Sequence, residues 1–503
     1  MPLARTWSVA LLGIDGRLVE VEADIGAGLP GVKLVGLPDP GLRESKERVK
    51  AAVRNSGQKW PEQHVTLGLS PANLPKIGSG YDLGIAVAVL AACGIVPVTK
   101  LRGTVLLGEL ALDGRIRPVR GVLPALLVAR RSGMSRAVVP VESLFEAALA
   151  DGMEALGAER LADVVDWLCG TGTLAEPEST AEAPPERVPD LADVLGQPEA
   201  RWAVEVAAAG GHHLLLVGPP GVGKSMLARR LPGLLPPLSA EESLQVTAVH
   251  SVNGELSRAA PLVRVPPFVA PHHSVSIAAL IGGGSGLAQP GMISKAHRGV
   301  LFLDEACEFG PQRLESLRTA LEEGEIRLAR QKGVVSYPAR FQLVLATNPC
   351  ACAPPRDTDC SCSPTERRRY LGRLSGPLLD RVDLRVRMRP VTAMHAHEVG
   401  DPEPSAVVRE RVGRARDRAA ARWSEHGWRT NSEVPGPVLR KEFALPRDVT
   451  VLLDRALDRG VVTARGADRC LRIAWTLCDL AGADEPDADH LAAAMEFRDR
   501  RAA

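Results

Sequence analysis

The sequence predicts an α/β fold in three parts: an N-terminal α/β unit, a central unit on a parallel nucleotide-binding sheet, and a C-terminal helical unit. Three observations predict it. The segment Gly218-Pro219-Pro220-Gly221-Val222-Gly223-Lys224-Ser225 fits the phosphate-loop pattern G-x-x-x-x-G-K-[ST] at every fixed position. The apolar run Leu214–Val217 precedes it, and a helical stretch, Met226–Leu231, follows and ends near Pro232. A second apolar run, Val300–Leu303, ends in the acidic pair Asp304-Glu305. Around these, residues 1–170 alternate strand and helix patterns, whereas 394–503 repeat apolar residues at helical spacing.

A chain of 503 residues exceeds what one core supports. The expected division is 1–170, a polar linker at 171–188, a nucleotide unit at 189–393 and a helical unit at 394–503. Hydrophobic content of 45% and a net charge of +1 describe an ordinary water-soluble chain with no global pull toward nucleic acid. Aromatic residues make up 3%, too few for a base-stacking platform. Two arginine-rich stretches, 367–389 and 409–422, leave open a local basic surface or a solvated helix face. The apolar stretch Leu83–Val98 is short for a membrane span and reads as a buried helix. With no secretory leader pattern at the start, a cytoplasmic location and no membrane partner are expected.

Taken in order, Val19–Asp24 alternates like a half-wet strand, Val32–Gly36 reads as a second strand, Pro40–Asn55 as helix, and His64–Leu69 as strand. Asp190–Gln197 opens the central unit. In the phosphate loop, glycines let backbone N–H groups converge on phosphate oxygens, Lys224 reaches the terminal phosphates, and the Ser225 hydroxyl can ligate Mg²⁺. Asp304 is expected to hold Mg²⁺ through water and Glu305 to polarise the attacking water. A further apolar run, Phe341–Ala346, ends in Thr347-Asn348, an amide suited to orienting that water.

Three fragments in the first unit, Leu29–Gly31, Val35–Asp39 and Pro75–Leu83, resemble the YifB/ComM proteins, magnesium-chelatase-like AAA+ ATPases. The resemblance runs from about Ser8 to about Asp479. It implies an N-terminal domain similar to the Lon protease domain, an AAA+ ATPase domain and a helical lid. Laid on the Lon pattern, Asp82 stands at the serine nucleophile's position and Leu123 near that of the lysine, so a retained fold without peptidase chemistry is expected. Ser79 and Lys76 remain as an alternative dyad. The resemblance also implies that Val194, Leu195 and Gly196 lie against adenine, that Asn348 is the sensor 1 residue, and that Ser375–Asp383 carries an arginine finger at Arg381. Arg465 is implied as the phosphate-contacting arginine of the lid, with Arg469 or Arg472 as ordinary helix-surface charges. An arginine finger acts across a subunit boundary, so a homo-oligomeric ring, most often a hexamer, is implied.

A glycine-rich insertion spans Phe268–Arg298, and a hairpin is expected at Gly324–Gly333. Lys295, Arg298, Arg327, Arg330 and Lys332 suit sequence-independent gripping of a DNA backbone, or are solvated charges. Neighbouring residues on an extended chain point opposite ways, so local hydrogen bonds are expected for His272-His273 rather than a shared metal. Cys350, Cys352, Cys360 and Cys362 form two C-x-C pairs, for which structural Zn²⁺, free thiols and a redox disulfide all stay open. The activity implied is Mg-dependent ATP hydrolysis driving helicase or branch-migration work on DNA. The rivals are the motor of a metal chelatase, which needs partner subunits and an integrin-like domain not expected here, and a protein remodeller.

Overall fold

Alternation in Asp15–Gly26 sets the N-terminal architecture in the computed structural model, which describes residues 3–36, 39–178, 188–284, 288–330, 333–355, 359–390 and 403–498. That strand pairs antiparallel with Leu3–Leu12 on one side and His64–Ser70 on the other. Gly31–Val35 closes one edge. Thr104–Leu106, Arg136–Pro140 and Glu154–Ala158 extend the other, making a seven-stranded mixed sheet. Helix Pro40–Asn55 starts where Asp39 accepts the Leu42 N–H at 2.8 Å, a side-chain cap for an otherwise orphaned donor. Helix Asp82–Ala92 is buried along its whole length. It stops short of the expected Val98 because Gly94 turns left-handed at φ 74°, after which the chain emerges with Val98 exposed.

Asp82, at the position matched to a Lon serine, is fully buried and bound to Arg48 at 2.9 Å and to the Leu110 N–H at 3.3 Å. Burial raises its carboxyl above the usual range, and the Arg48 pairing opposes that rise. Leu123 is buried and donates its N–H to Glu146 at 2.7 Å. The alternative dyad is not assembled: Ser79 donates to Glu109, and the buried Lys76 amine donates to the Pro71 carbonyl. The linker is tied down at its start, where Ala175 bridges to Gly157 and Leu174 is buried. Residues 179–187 lie outside the described residues, as do Leu37-Pro38, Gly286 of the insertion, Lys332 and 391–402.

The central sheet has five parallel strands in the order Phe268–Val269, Val300–Leu303, Gln342–Thr347, Leu214–Val217, Leu384–Arg387. Its strands are continuously apolar because both faces are covered. Leu214, Leu216, Phe302, Val344 and Ala346 face one core. Leu215, Val217, Leu301, Leu303, Leu343 and Leu345 face the other, with helix Pro311–Glu323 and hairpin strands Glu325–Arg330 and Gly333–Pro338. Each fully buried Leu or Val contributes about 1.5–3 kcal/mol. The first core is shared with the C-terminal helices Ser405–Arg422, Ala464–Ala481 and Ala488–Glu496 through Val412, Trp475 and Leu491, so these helices are a lid on the same hydrophobic centre. After the phosphate loop the helix runs only Lys224–Ala228. Pro232 falls in a separate helical turn, Leu231–Leu234, where proline's missing donor in the first turn has no cost.

The second arginine stretch is largely a set of internal staples rather than a basic surface. Arg411 forks onto Glu205 at 2.7 and 2.9 Å and onto Glu403 at 2.7 and 2.8 Å. Arg416 donates to Ala208 at 2.8 Å, and Arg422 pairs with Asp479 while lying 4.3 Å over the Trp475 ring. The N-terminal and central units also touch. Gly121 donates to the Ser251 carbonyl at 3.2 Å, Ser251 donates to the buried Glu146, and the Gly13 turn approaches the hairpin so closely that a Cβ would lie 2.6 Å from the Ser336 carbonyl.

His297 couples this packing to pH. It is 2% exposed, accepts the Arg340 N–H at 3.1 Å, and burial with Arg298 and Arg340 nearby depresses its pKa to about 3. The unfolded chain protonates this ring near pH 6.5, so between those values only the unfolded state takes up the proton. Its stabilising contribution is present above pH 6.5 and lost as pH falls. Urea unfolding at pH 6.5 and 5 is expected to differ by roughly 1–2 kcal/mol from this group, a difference absent in His297→Gln.

Candidate nucleotide site

Three adjacent parallel strands release their chains at one edge of the central sheet. Val217 is level with Thr347, Leu345 with Leu303, and the Gly218 N–H donates to the Thr347 carbonyl at 3.1 Å. Gly218, Asp304 and Asn348 therefore emerge side by side, at the carboxyl ends where open α/β sheets bind ligands. A Cβ at Gly218 would meet the Met388 carbonyl at 2.7 Å, so only glycine fits there. Gly221 and Gly223 take φ of 79° and 92° with nothing packed on the side where a Cβ would stand, which leaves the loop's concave face open.

Lys224 is buried, and its amine donates to the carbonyls of Gly218 at 2.6 Å and Pro219 at 2.8 Å and to Asn348 Oδ1 at 3.1 Å. Burial lowers its pKa, opposed by Asp304 and Glu305. Ser225 donates to Asp304 Oδ2 at 2.6 Å. Hydroxyl, carboxylate and amine thus meet at the head of the phosphate loop, the donor set that a divalent ion and a polyphosphate would take up. The residues fit MgATP: Ser225 and Asp304 would hold the metal and Lys224 the phosphates. Mg²⁺ would supply charge neutralisation at the phosphates. The segment expected beside adenine lies against this loop, with Gln197 donating to the Val222 carbonyl at 3.4 Å, Val194 buried and Leu195 62% exposed.

Glu305 follows in a left-handed conformation, φ 50°, uncommon for a residue with a side chain. Its carboxylate is 53% exposed and lies 3.3 Å from His273 Nδ1. His272 does bond locally, to Ser274 at 2.7 Å, whereas His273 reaches across to the site. The doublet was the available signal, but its partner is 32 positions away in sequence.

Arg381 stands at the opposite edge. It precedes Leu384–Arg387, which runs parallel to Leu214–Val217 with Leu384 level with Leu214. The four-residue strand alone separates that edge from the phosphate loop by about 10 Å. Arg381 is paired with Glu322 and donates to the Pro377 carbonyl at 2.5 Å. Burial, then Arg318, Arg465 and Arg469, lowers its pKa. Arg465 is exposed and is close enough to Arg381 to be part of this cationic group. Arg469 and Arg472 are not the surface charges expected. Arg469 is bound to the buried Asp383, and Arg472 donates to the Val434 carbonyl at 2.7 Å. Asp383 is held well below the usual carboxylate range despite its burial, because Arg469, His212 and His213 surround it.

In the insertion and hairpin, Lys295 pairs with Glu255, Arg298 with Glu242 at 3.4 Å, and Arg327 with Glu323 and Glu325 at 3.6 and 2.5 Å. Within one chain these cations already have carboxylate partners.

The family model for magnesium chelatase subunit ChlI matches residues 190–396, a second ChlI model matches 21–143, and the ChlI C-terminal model matches 402–498. The chain is 40% identical over 500 residues to YifB of Escherichia coli, covering 99% of this chain and 97% of that protein. It is 38% identical over 505 residues to the competence protein ComM of Haemophilus influenzae, covering 99% and 98%. The chain belongs to the YifB/ComM family of magnesium-chelatase-like AAA+ proteins. An uncharacterized Mycobacterium tuberculosis protein is 59% identical over 498 residues, 99% of each chain. The Lon protease of Mycolicibacterium smegmatis is 29% identical over 188 residues, 35% of this chain and 23% of that protein, and the N-terminal region is Lon-like. Membership of the YifB/ComM family implies ATPase activity. Among the described residues no helix is long and apolar enough to cross a membrane.

Proposed function

We propose that the chain is a Mg-dependent ATPase that assembles into a hexameric ring and translocates on or remodels DNA in recombination or uptake of incoming strands. One observation supports the ring most directly: Lys224, Ser225, Asp304 and Asn348 gather at one sheet edge while Arg381 and Arg465 cluster at the other. Lys224 and Ser225 bind phosphate and metal, Asp304 holds Mg²⁺, Glu305 polarises water, and Asn348 orients it. Arg381 and Arg465 complete a neighbour's site, where a guanidinium offsets developing charge. The remaining residues 218–223 cradle the phosphates, and the cytoplasm is the compartment that supplies ATP and DNA together.

DNA as the substrate is supported by similarity to the competence protein ComM over 99% of this chain. A chelatase motor is the second reading, favoured by the ChlI family models. The string Asp359-Cys-Ser361-Cys-Ser363 does spell the D-x-S-x-S ion motif of integrin-like domains. Its Ser363, however, caps helix Pro364–Leu371 by accepting the Glu366 N–H at 3.3 Å, and both intervening residues belong to the thiol cluster. ATP turnover measured with branched DNA, single-stranded DNA, a porphyrin or an unfolded protein separates the readings. Stimulation by DNA alone, lost in Glu305→Gln, is the expected result. Indifference to DNA with stimulation by porphyrin or unfolded protein contradicts it.

A further inference from the structure

We infer that Cys350, Cys352, Cys360 and Cys362 bind one Zn²⁺ as a tetrathiolate, and that this ion pins the segment joining Asn348 to the element that carries Arg381. The first half rests on geometry. Cys350 Sγ lies 3.4 Å from Cys352 Sγ and 3.4 Å from Cys360 Sγ, and Cys352 Sγ lies 3.5 Å from Cys360 Sγ. All four sulfurs lie within 4.8 Å of one another. A disulfide would bring two of them to about 2.05 Å, and all four are free thiols. Four sulfurs at about 2.3 Å from a single ion form a tetrahedron with edges of about 3.8 Å, close to the spacing found. A multi-iron cluster holds its cysteines wider apart. Thiolate softness and tetrahedral spacing disfavour the hard divalent ions Mg²⁺ and Ca²⁺ and suit Zn²⁺, with a single iron in the same S₄ geometry as the alternative that metal analysis separates.

The chain is also bent to make this cluster. Cys350 and Cys352 sit in a turn that brings both thiols to the same side, and Cys360 and Cys362 approach from the other end of the loop. Directly after Cys352, Ala353 adopts φ 44°, a conformation alanine avoids, and its N–H returns to the Cys350 carbonyl at 3.3 Å. Arg367 donates a hydrogen bond to Cys360, the charge-assisted second contact a metal-bound thiolate favours.

The second half rests on the proposed ATPase mechanism. Asn348, which accepts from Lys224, is two residues before Cys350. Ser363, one residue after Cys362, caps the helix Pro364–Leu371 that leads to Ser375 and Arg381. One ion therefore fixes both ends of the loop between the phosphate side of one site and the arginine destined for the next.

The test uses the full-length protein, purified without added metal and analysed for metal content. About one zinc per chain is expected, falling to near none in Cys360→Ser/Cys362→Ser while Cys93→Ser retains it. Replacing zinc with Co²⁺ in wild-type protein is expected to give tetrahedral cobalt–thiolate absorption, which needs no variant to fold. Wild-type protein with neither zinc nor that spectrum, or zinc retained in the double variant, overturns the site. If the site stands, zinc removal should abolish ATP turnover while Kd for ATP stays within about threefold. Unchanged turnover without zinc overturns the pinning role alone. Zinc content does not depend on ring assembly, so failure of the ATPase reading and failure of the metal site are told apart.

Discussion

Arg381→Ala is expected to slow ATP turnover by about 10³-fold or more, with ATP affinity and folding nearly unchanged. The residue lies among Arg318, Arg465 and Arg469, and Glu322 is the carboxylate paired with it. Carboxylates offset this like charge within one chain, Glu322 on Arg381 and Asp383 on Arg469, and an arriving anion would compete with Glu322 for Arg381. The triphosphate of an adjacent subunit is such an anion, and reaching it would require Arg381 to leave Glu322. Arg381→Lys keeps the charge but loses the planar fork, so it should recover only part of the rate. Glu322→Gln, which releases the arginine, should leave turnover at or above the wild-type value. Steady-state ATP hydrolysis by the three variants, with nucleotide binding measured separately, checks this.

Glu305→Gln carries the second large effect, an expected loss of about 10²–10⁴ in kcat with KM little changed. The carboxylate is placed by a left-handed backbone at the end of Val300–Leu303 and stands 3.3 Å from His273. Glutamine keeps the shape and cannot polarise water as a base. Because Lys224, Ser225 and Asp304 are untouched, the variant should still bind MgATP and accumulate it unhydrolysed. His273→Ala is the companion measurement. It frees the carboxylate without removing it, so its effect on kcat should be far smaller. Rapid-quench analysis of bound nucleotide distinguishes a failure of chemistry from a failure of binding.

The sequence carried the nucleotide edge of the sheet almost completely because its signals are local. A phosphate loop, an acidic pair and an amide each follow a four- to six-residue apolar strand, and parallel strands in register bring such ends together. The helices Pro40–Asn55 and Asp82–Ala92 were legible from periodicity and from an unbroken apolar run. Long-range pairing was not legible. Arg411, Arg416 and Arg422 read as a local basic surface or a solvated helix face, yet their partners are a helix some 200 positions earlier and Asp479 further on. Likewise Arg469 looked like a surface charge because nothing local marks Asp383 as its buried partner. The His273 contact with Glu305 was hidden for the same reason. The thiol cluster is intermediate: its spacing was visible, while the convergence of both pairs on one point depends on the turn at Ala353.

A subunit-mixing experiment tests most directly whether ATP bound by one chain is hydrolysed with an arginine from another. Glu305→Gln and Arg381→Ala chains, each expected to be inactive alone, are unfolded, mixed and refolded together, and ATP turnover is measured. Where an Arg381→Ala chain meets a Glu305→Gln neighbour in the right order, a complete site forms, so an equal mixture should regain up to roughly a quarter of wild-type turnover. A mixture as inactive as its two parents at every ratio, although mass measurement finds both chains in one particle, contradicts the account.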